Sequence, residues 1–142
     1  MSKNIFVNLP VRNIENSKFF FGELGFSFKP EFTGDSSICL IIGENIYAML
    51  LDETSFKSFI PGKEISNSKE TTEVLIAIDT ESREKTDEMI EKIISLGGKE
   101  FRQVQDYGWM YIRAFEDLDG HIWEIGYMDE SKLPEEMKNK AS

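Results

Sequence analysis

Apolar and polar residues alternate along the first predicted element, NIFVNLPV, with the period of two that is typical of a strand. One side of this strand carries Ile5, Val7, Leu9 and Val11, and the other side carries Phe6, Asn8 and Pro10. Asn13 is a suitable N-cap for a helix over IENSKFFFGEL, and Gly25 is a suitable residue to end it. The chain is therefore predicted to begin with a strand followed by a helix.

Three further short strands are predicted after this helix, in FSFKPEF, SSICLIIG and NIYAMLLD, with turns at TGD and GEN. Between Glu53 and Glu70 the periodicity is lost, although this segment contains Phe56, Phe59 and Ile60. We interpret it as a loop or short helix that docks these three side chains and covers a cleft. A linker with a few anchoring residues is an equally good interpretation.

The second half of the chain repeats this order of elements. EVLIAID alternates like the first strand and has Glu73 at its start. Ser82 is a suitable cap for a helix over Arg83–Leu96, whose apolar residues recur at helical spacing. KEFRQVQ, WMYIRAF and HIWEIGY follow as three predicted strands, and EDLDG supplies the turn between the last two. Residues 129–142 form a polar tail in which a short helix is expected.

Two strand-helix-strand-strand-strand units of similar length predict an α+β protein with a duplicated architecture. Module one covers residues 4–52, a connecting loop covers 53–70, and module two covers 71–128. We expect them to form a single domain over residues 1–130. A chain of 142 residues is long enough for one domain with a sizeable core, or for two small halves that share one.

Composition and charge narrow the classes of function. The chain is 40% apolar and 30% charged, which favours a compact fold over disorder. Its formal net charge of −10 disfavours binding to nucleic acid or to an anionic membrane surface. The single cysteine, Cys39, excludes an intrachain disulfide and is expected to be buried. No segment is long and apolar enough to span a membrane, and MSKNIFVNLP lacks a signal-peptide core, so a cytoplasmic location is expected.

Two segments of the chain match a known family. LPVRNIENSKFFFGELGF resembles the opening of vicinal oxygen chelate proteins, the glyoxalase / bleomycin resistance / extradiol dioxygenase superfamily, in which a strand leads into an aromatic-rich helix that closes with Leu-Gly-Phe. FEDLDGHIWEIGY resembles that family's final hairpin, an Asp-x-Asp-Gly turn followed by a strand with a central Glu. The resemblance covers residues 5–127. It implies two tandem βαβββ modules that form a curved mixed sheet around a cleft, commonly in a homodimer.

The resemblance also implies a possible metal site. In metal-dependent members, four side chains hold a divalent ion, one from the first and one from the last strand of each module. Glu124 occupies the last of these positions, and Glu73 is placed at the matching position of the first strand of module two. Phe6 takes the first position and cannot ligate, whereas Met49, near the remaining position, offers a thioether, a poor ligand for a hard cation. Only two carboxylates, Glu73 and Glu124, therefore support a divalent metal cofactor.

Glu124 is open to several interpretations. It lies in an apolar strand, so it is expected to line a ligand-binding cleft, either as a metal ligand or as the catalytic candidate. If Glu73 lies close to it without a metal, one of the two carboxyl groups can act as a general base. Alternatively, Glu124 forms a structural ion pair with Arg12, Arg102 or Arg113.

The only histidine, His121, does not complete a catalytic set with Glu124. On an alternating strand the two side chains point to opposite faces, so His121 is expected to be a structural or exposed residue near the turn. The chain also lacks the glycine-rich loops that bind phosphate and the neighbours of a nucleophile elbow.

Seven aromatic residues fall on predicted strands: Phe6, Tyr47, Trp109, Tyr111, Phe115, Trp123 and Tyr127. About half of them are expected to face the cleft, and the rest to be core. The predicted ligand-binding residues are Phe6, Asn8, Met49, Glu73, Trp109 and Tyr111. Aromatic walls on an acidic protein suit a cationic or aromatic small-molecule ligand, as in the bleomycin resistance branch of the family.

Two functions follow as hypotheses. The first is a small-molecule-binding protein similar to the glyoxalase / bleomycin resistance proteins, with no reaction assigned. The alternative is a metal-dependent lyase of the lactoylglutathione lyase type.

Overall fold

In the computed structural model, which describes residues 1–139, Asn13 and Ser82 begin the two long helices. Each side-chain oxygen accepts the backbone N–H of the residue three positions later, at 2.9 Å and 3.1 Å respectively. Gly25 and Gly97 follow the helices with φ values of 98° and 101°, a conformation that favours glycine. Both predicted helix starts, and the predicted stop at Gly25, are confirmed.

The first of two units consists of Met1–Thr72 together with Leu118–Gly120. Its elements are β1 (Ile5–Val11), α1 (Ile14–Glu23), β2 (Ser27–Phe28), a 3₁₀ turn (Pro30–Phe32), β3 (Ser37–Gly43), β4 (Ile46–Asp52) and α2 (Glu53–Ser58). The strands form one sheet in the order β1-β4-β3-β2. β1 and β4 are parallel, and the remaining pairs are antiparallel.

Helix α1 packs against β3 and β4 on one face of this sheet. The buried side chains of that core are Leu9, Val11, Phe20, Phe21, Ile38, Leu40, Ala48 and Leu50. The alternate strand positions point to the other face, and the short helix α2 contacts β1 and β4. We call this second surface the open face of the first unit.

The second unit consists of Glu73–Asp117 and the described residues from His121 onward. Its elements are β5 (Leu75–Asp79), α3 (Arg83–Ser95), β6 (Lys99–Glu100), β7 (Gln105–Asp106), β8 (Met110–Glu116), β9 (Ile122–Met128), a 3₁₀ turn (Glu130–Lys132) and α4 (Glu135–Lys138). The sheet has the order β5-β9-β8-β6, with β7 also paired to β8. β5 and β9 are parallel, as β1 and β4 are in the first unit.

Stacked aromatic rings form the centre of the second core. Phe115 and Trp123 lie 6.2 Å apart with an interplanar angle of 3°, and both are buried. Ile90 and Ile93 of α3 are also fully buried. Trp123 Nε1 donates to the Asp117 carboxylate at 3.0 Å, which supplies the partner that a buried indole N–H requires.

Three predicted elements differ from the structure. FSFKPEF is a strand only at Ser27–Phe28, because Pro30–Phe32 forms a 3₁₀ turn. KEFRQVQ is not one strand, because only its ends pair with β8 and the chain between Glu100 and Gln105 leaves the ladder. This departure lets Arg102 reach the side chain of Gln105. The segment after β4 does begin with a short helix, α2. Phe59 is 74% exposed, against the expectation that it docks, whereas Phe56 and Ile60 are half-buried.

The EDLDG turn is anchored by its second aspartate. Asp119 Oδ1 accepts the backbone N–H of Arg12 at 2.8 Å, and the Arg12 guanidinium lies 3.7 Å from the same oxygen. Ser68 Oγ donates to the Asp119 carbonyl. Gly120 has a φ of 90°, and a Cβ added there would lie 2.8 Å from the Ser68 carbonyl oxygen. The predicted turn is confirmed, and close backbone packing explains its glycine.

No helix within residues 1–139 has the length and apolar character needed to cross a membrane. The C-terminal segment does contain the predicted short helix, α4, and its last three residues, 140–142, lie outside the described part of the chain.

Replacing Gly120 with Ala is expected to lower the free energy of unfolding by about 2 kcal/mol, because the left-handed backbone and the Ser68 carbonyl both oppose a Cβ. Urea denaturation followed by circular dichroism measures the change. Gly34→Ala is the matched control, since a Cβ there meets nothing within 4 Å, and its effect should stay below about 0.5 kcal/mol. Equal effects of the two variants would contradict the structure of this turn.

Candidate functional site

The open face of the first unit carries three of the predicted ligand-binding residues. Phe6, Asn8 and Met49 lie on the same face, because Phe6 pairs with Tyr47 and Asn8 pairs with Met49 between parallel strands. The rings of Phe6 and Tyr47 stack at 4.9 Å with an interplanar angle of 13°. Phe6 remains 42% exposed. The predicted shared face of Phe6 and Asn8 on the first strand is confirmed, and the pairing of β1 with β4 adds Met49 to it.

A lysine already occupies the aromatic part of this face. Lys29 Nζ lies 5.2 Å from the centre of the Tyr47 ring and 5.4 Å from that of Phe32. Both distances fall in the range of cation–π contacts. A cationic ligand would have to compete with Lys29 for these rings.

A groove of about 450 Å³ lies beside these aromatics. Phe32, Met49, Leu51 and Phe59 supply its apolar lining, and Ser37 and Ser55 are among its polar residues. This volume is within the range of small-molecule sites.

Cys39 pairs with Met49 across β3 and β4 and is fully buried. Burial raises the pKa of the Cys39 thiol, so it acts as a small apolar residue, as predicted.

In the second unit, Glu124 lies at the centre of a row of small residues. It pairs with Ala77 of β5 on one side and with Ala114 of β8 on the other. This row belongs to the face opposite α3, since Tyr111 and Arg113, on the alternate positions of β8, bind Asp87 of that helix. We call this surface the open face of the second unit.

Arg102 supplies the charge that balances Glu124. Its Nη2 lies 2.5 Å from Glu124 Oε2, and the two side chains are only 27% and 20% exposed. The same Nη2 donates to Gln105 Oε1 at 3.1 Å. The sequence left several interpretations of Glu124 open, and the structure shows one of them, an ion pair with an arginine.

The ion pair leaves much of its hydrogen-bonding capacity unused. Among residues 1–139, Arg102 Nε is buried and has no acceptor. Nη2 makes the contacts that Arg102 has with Gln105 and Glu124. Within the same residues, the contact that Glu124 makes is its ion pair with Arg102. A buried polar group without a hydrogen bond is unfavourable by about 1–3 kcal/mol, so the unpaired Arg102 Nε carries a cost of this order.

Arg102 was not among the predicted site residues. Its position between two short strand segments shows why, since the sequence alone favoured one continuous strand through it. One indication was available from the sequence. A carboxylate in an apolar strand needs a positively charged partner, and Arg102 was one of the three arginines considered for this role.

Tyr111, one of the predicted ligand-binding residues, lies on the opposite face of the second sheet from Glu124. Its hydroxyl donates to Asp87 Oδ1 at 2.6 Å, and Arg113 donates to the same oxygen at 2.7 Å. The Tyr111 hydrogen bond, followed by Arg113, holds the pKa of Asp87 below its usual range, and the same bond raises the pKa of Tyr111. The Arg83 guanidinium lies 4.8 Å from the Tyr111 ring centre. These contacts fasten α3 to β8.

Trp109 and Glu73 both lie outside the strands to which the sequence assigned them. Trp109 precedes β8 in a bend, where its carbonyl accepts the Asp129 N–H at 2.7 Å.

Glu73 is an exposed residue in the bend before β5. The position of β5 that corresponds to Phe6 is Leu75, because each lies seven residues before the N-cap of the helix that follows. The placement of Glu73 on the first strand of module two was therefore wrong by two residues.

His121 lies beside the turn, immediately before β9. Its backbone N–H donates to Asp117 Oδ1 at 3.0 Å, and its carbonyl accepts the Asp117 N–H at 3.0 Å. The backbone of His121 therefore helps to close the hairpin.

Solved structures share this fold across nearly the whole chain. A hypothetical protein from S. aureus is 24% identical over 89% of this chain and 95% of its own, with a TM-score of 0.76. A glyoxalase/bleomycin resistance protein/dioxygenase family enzyme from Burkholderia phytofirmans is 15% identical over 87% and 96%, with a TM-score of 0.74. The fosfomycin resistance protein FosX from Listeria monocytogenes is 17% identical over 94% and 99%, with a TM-score of 0.64.

These similarities establish the fold. The chain has the α+β fold of the glyoxalase/bleomycin resistance/dioxygenase proteins, which confirms the predicted fold class and the resemblance to vicinal oxygen chelate proteins at the level of structure. The sequence itself matches no protein-family model and no curated protein.

The residues present do not suit the divalent metal of metal-dependent members. The positions at issue carry Phe6, Met49, Leu75 and Glu124, and of these only Glu124 has a ligand that such an ion favours. Arg102 already neutralises it. Within residues 1–139, no three His, Cys, Asp or Glu side chains are grouped so that they can hold a metal.

Replacing Tyr111 with Phe should reduce the free energy of unfolding at neutral pH by about 1 kcal/mol, through loss of the hydrogen bond to Asp87. A lowered carboxyl pKa stabilises the folded state above the unfolded pKa, and this contribution is lost as pH falls through the lowered value. The deficit of the variant should therefore shrink below about pH 3. Urea denaturation at several pH values measures it.

Tyr107→Phe is the control for this prediction, because Tyr107 is 56% exposed. Its effect should be small and independent of pH. A Tyr111→Phe deficit that stays constant from neutral to acidic pH would show that Asp87 is not the partner.

Proposed function

We propose that this chain is a metal-independent small-molecule-binding protein with the glyoxalase / bleomycin resistance fold, and not a metal-dependent lyase. The observation that supports this most directly is the ion pair between Glu124 and Arg102 at 2.5 Å. A guanidinium at this distance takes the place that a cation would need beside the carboxylate, because two positive charges would repel each other there. Phe6, Met49 and Leu75 offer no replacement ligands of the type that a hard divalent ion prefers.

The proposed ligand has an apolar or aromatic body. The stacked rings of Phe6 and Tyr47 and the groove lined by Met49 and Phe59 provide apolar surface for such a body in the first unit. Aromatic side chains bind flat apolar groups with a favourable free energy beyond simple burial.

A cationic ligand, which the sequence left open, is less well supported. Lys29 lies over the aromatic rings of the first unit, and Arg102 lies on the carboxylate of the second. The Tyr47 ring and the Glu124 carboxylate, two features that would attract a cation, are thus already in contact with cations of the chain itself. We therefore expect aromatic ligands without a positive charge to bind better than charged analogues.

Metal content is expected to be far below one equivalent in wild type and in Glu124→Gln alike, because Arg102 neutralises the only suitable donor. The measurement is inductively coupled plasma mass spectrometry after exposure to Ni, Co, Zn, Mn and Fe and removal of the excess. The proposal would be contradicted by near-stoichiometric metal in wild type that is lost in Glu124→Gln, together with lactoylglutathione lyase activity.

Ligand binding is tested in parallel by thermal shift with a panel of neutral, anionic and cationic aromatic compounds. A rise in melting temperature with neutral compounds supports a binding function by mass action. If no member of the panel stabilises the protein, small-molecule binding loses its support.

We also propose that the protein is a homodimer. β1 is an edge strand of its sheet, and Ile5 and Ile46 beside it are 55% and 44% exposed. An exposed apolar edge strand readily pairs with another chain, and a second copy can cover it.

Size-exclusion chromatography with light scattering should accordingly give twice the mass of one chain. Ile5→Lys should shift the protein toward the monomer, since a charge at the edge opposes pairing. Ile94→Lys is the control, because Ile94 on α3 is similarly exposed, at 51%, and lies away from β1 in the chain. A wild-type monomer at all concentrations, or equal effects of the two variants, would contradict the proposed edge contact.

A further inference from the structure

We propose that the Arg102–Glu124 pair on the open face of the second unit recognises an uncharged amide-type group, such as a primary amide, a lactam or a urea. This inference rests on the proposed function as a small-molecule-binding protein, and it assigns the chemical class of the group that is bound. Arg102 would donate to the carbonyl oxygen of this group, and Glu124 would accept its N–H.

The first step is that both members of the pair have unused capacity. Arg102 Nε is buried without an acceptor among residues 1–139, while Nη2 makes the contacts to Gln105 and Glu124. A guanidinium has five N–H donors, and a carboxylate has about four lone-pair sites. Within the described part of the chain, the contact of Glu124 is that with Arg102 alone. A ligand that binds here can therefore use the guanidinium donors of Arg102 other than the buried Nε, together with the remaining lone pairs of Glu124.

The second step concerns charge. Arg102 and Glu124 neutralise each other at 2.5 Å, so an uncharged group meets no net charge. A carboxylate would be attracted by Arg102 but repelled by Glu124, in a protein whose formal net charge is −10. An ammonium group would be attracted by Glu124 but repelled by Arg102. Buried polar groups discriminate strongly against ligands that leave one of them unpaired.

The third step concerns space. Glu124 lies between Ala77 and Ala114, so no large side chain rises from the neighbouring strands on this row. Ala77 is exposed, and Leu75, two residues away on the same face of β5, is 53% exposed. Arg102 belongs to the segment beside β8 and is thus placed on the Ala114 side. Because Arg102 and Ala77 flank Glu124 on opposite sides, the amide-type group would lie over Glu124 itself, where it can face Arg102 as well, and the exposed Leu75 provides apolar surface on the Ala77 side.

The experiment compares three probes that share one aromatic body: 1-naphthamide, 1-naphthoate and 1-naphthylmethylammonium. Their dissociation constants for the full chain are measured by titration with ¹H–¹⁵N correlation spectra. In wild type, the amide is expected to bind at least about tenfold more tightly than either charged probe. The largest shifts should fall on the backbone amides of Ala77, Arg102 and Glu124.

Two variants should reverse this preference in opposite directions. Glu124→Gln leaves the Arg102 charge without its partner, so naphthoate should become the tightest of the three probes. Arg102→Met leaves the Glu124 charge without its partner, so the naphthylmethylammonium ion should become the tightest. Arg83→Gln is the control, because Arg83 binds Asp106 and lies over the Tyr111 ring, and it should keep the amide preference.

The same order of probes in wild type, Glu124→Gln and Arg102→Met would overturn the inference, as would shifts that map away from this row. Absence of binding by all three probes to wild type also counts against it. If the compound panel of the thermal-shift experiment binds while these results are negative, only the amide assignment fails and the binding function stands. If a variant fails to fold, the order of the three dissociation constants in wild type still tests the inference.

Discussion

One helix covers only one face of each sheet, and this constraint determines the rest of the structure. α1 packs on the first sheet and α3 on the second, where they bury the large apolar residues of alternate strand positions. The remaining positions differ among themselves in burial: Cys39, Leu51, Ala114 and Ile122 are buried there, whereas Phe6 and Leu75 are exposed. Phe6 and Met49 in the first unit, and Glu124 in the second, all belong to such positions.

The Arg102–Glu124 pair shows how this fold tolerates a largely buried carboxylate without a metal. An isolated charge with 20% side-chain exposure is strongly unfavourable, and the guanidinium compensates for it. The pair is neutral as a whole, but it retains donors and acceptors that no residue among 1–139 uses. It therefore replaces the electrostatic role of a metal ion without reproducing its Lewis acidity.

The aspartates of the EDLDG turn have structural roles. Asp117 binds the buried Trp123 indole and the His121 backbone, and Asp119 binds the Arg12 backbone. On α3, the contacts of Tyr111 and Arg113 with Asp87 have a similar role, since they fasten helix to sheet. Polar groups in this chain thus fall into two sets, those that close the core and those that remain on the open faces.

The sequence by itself determined the order of the main elements, the helix caps at Asn13 and Ser82, the fold class and the shared face of Phe6 and Asn8. These features depend on local backbone preferences and on the period of two along a strand, which are properties of adjacent residues. Only the tertiary structure decided which residue is the partner of Glu124, because Arg102 reaches it through a break in strand pairing that no local pattern encodes. The same holds for Tyr111 and Glu73: register and the exact start of a strand depend on long-range pairing, and a shift of one or two residues changes the face or the neighbours of a side chain.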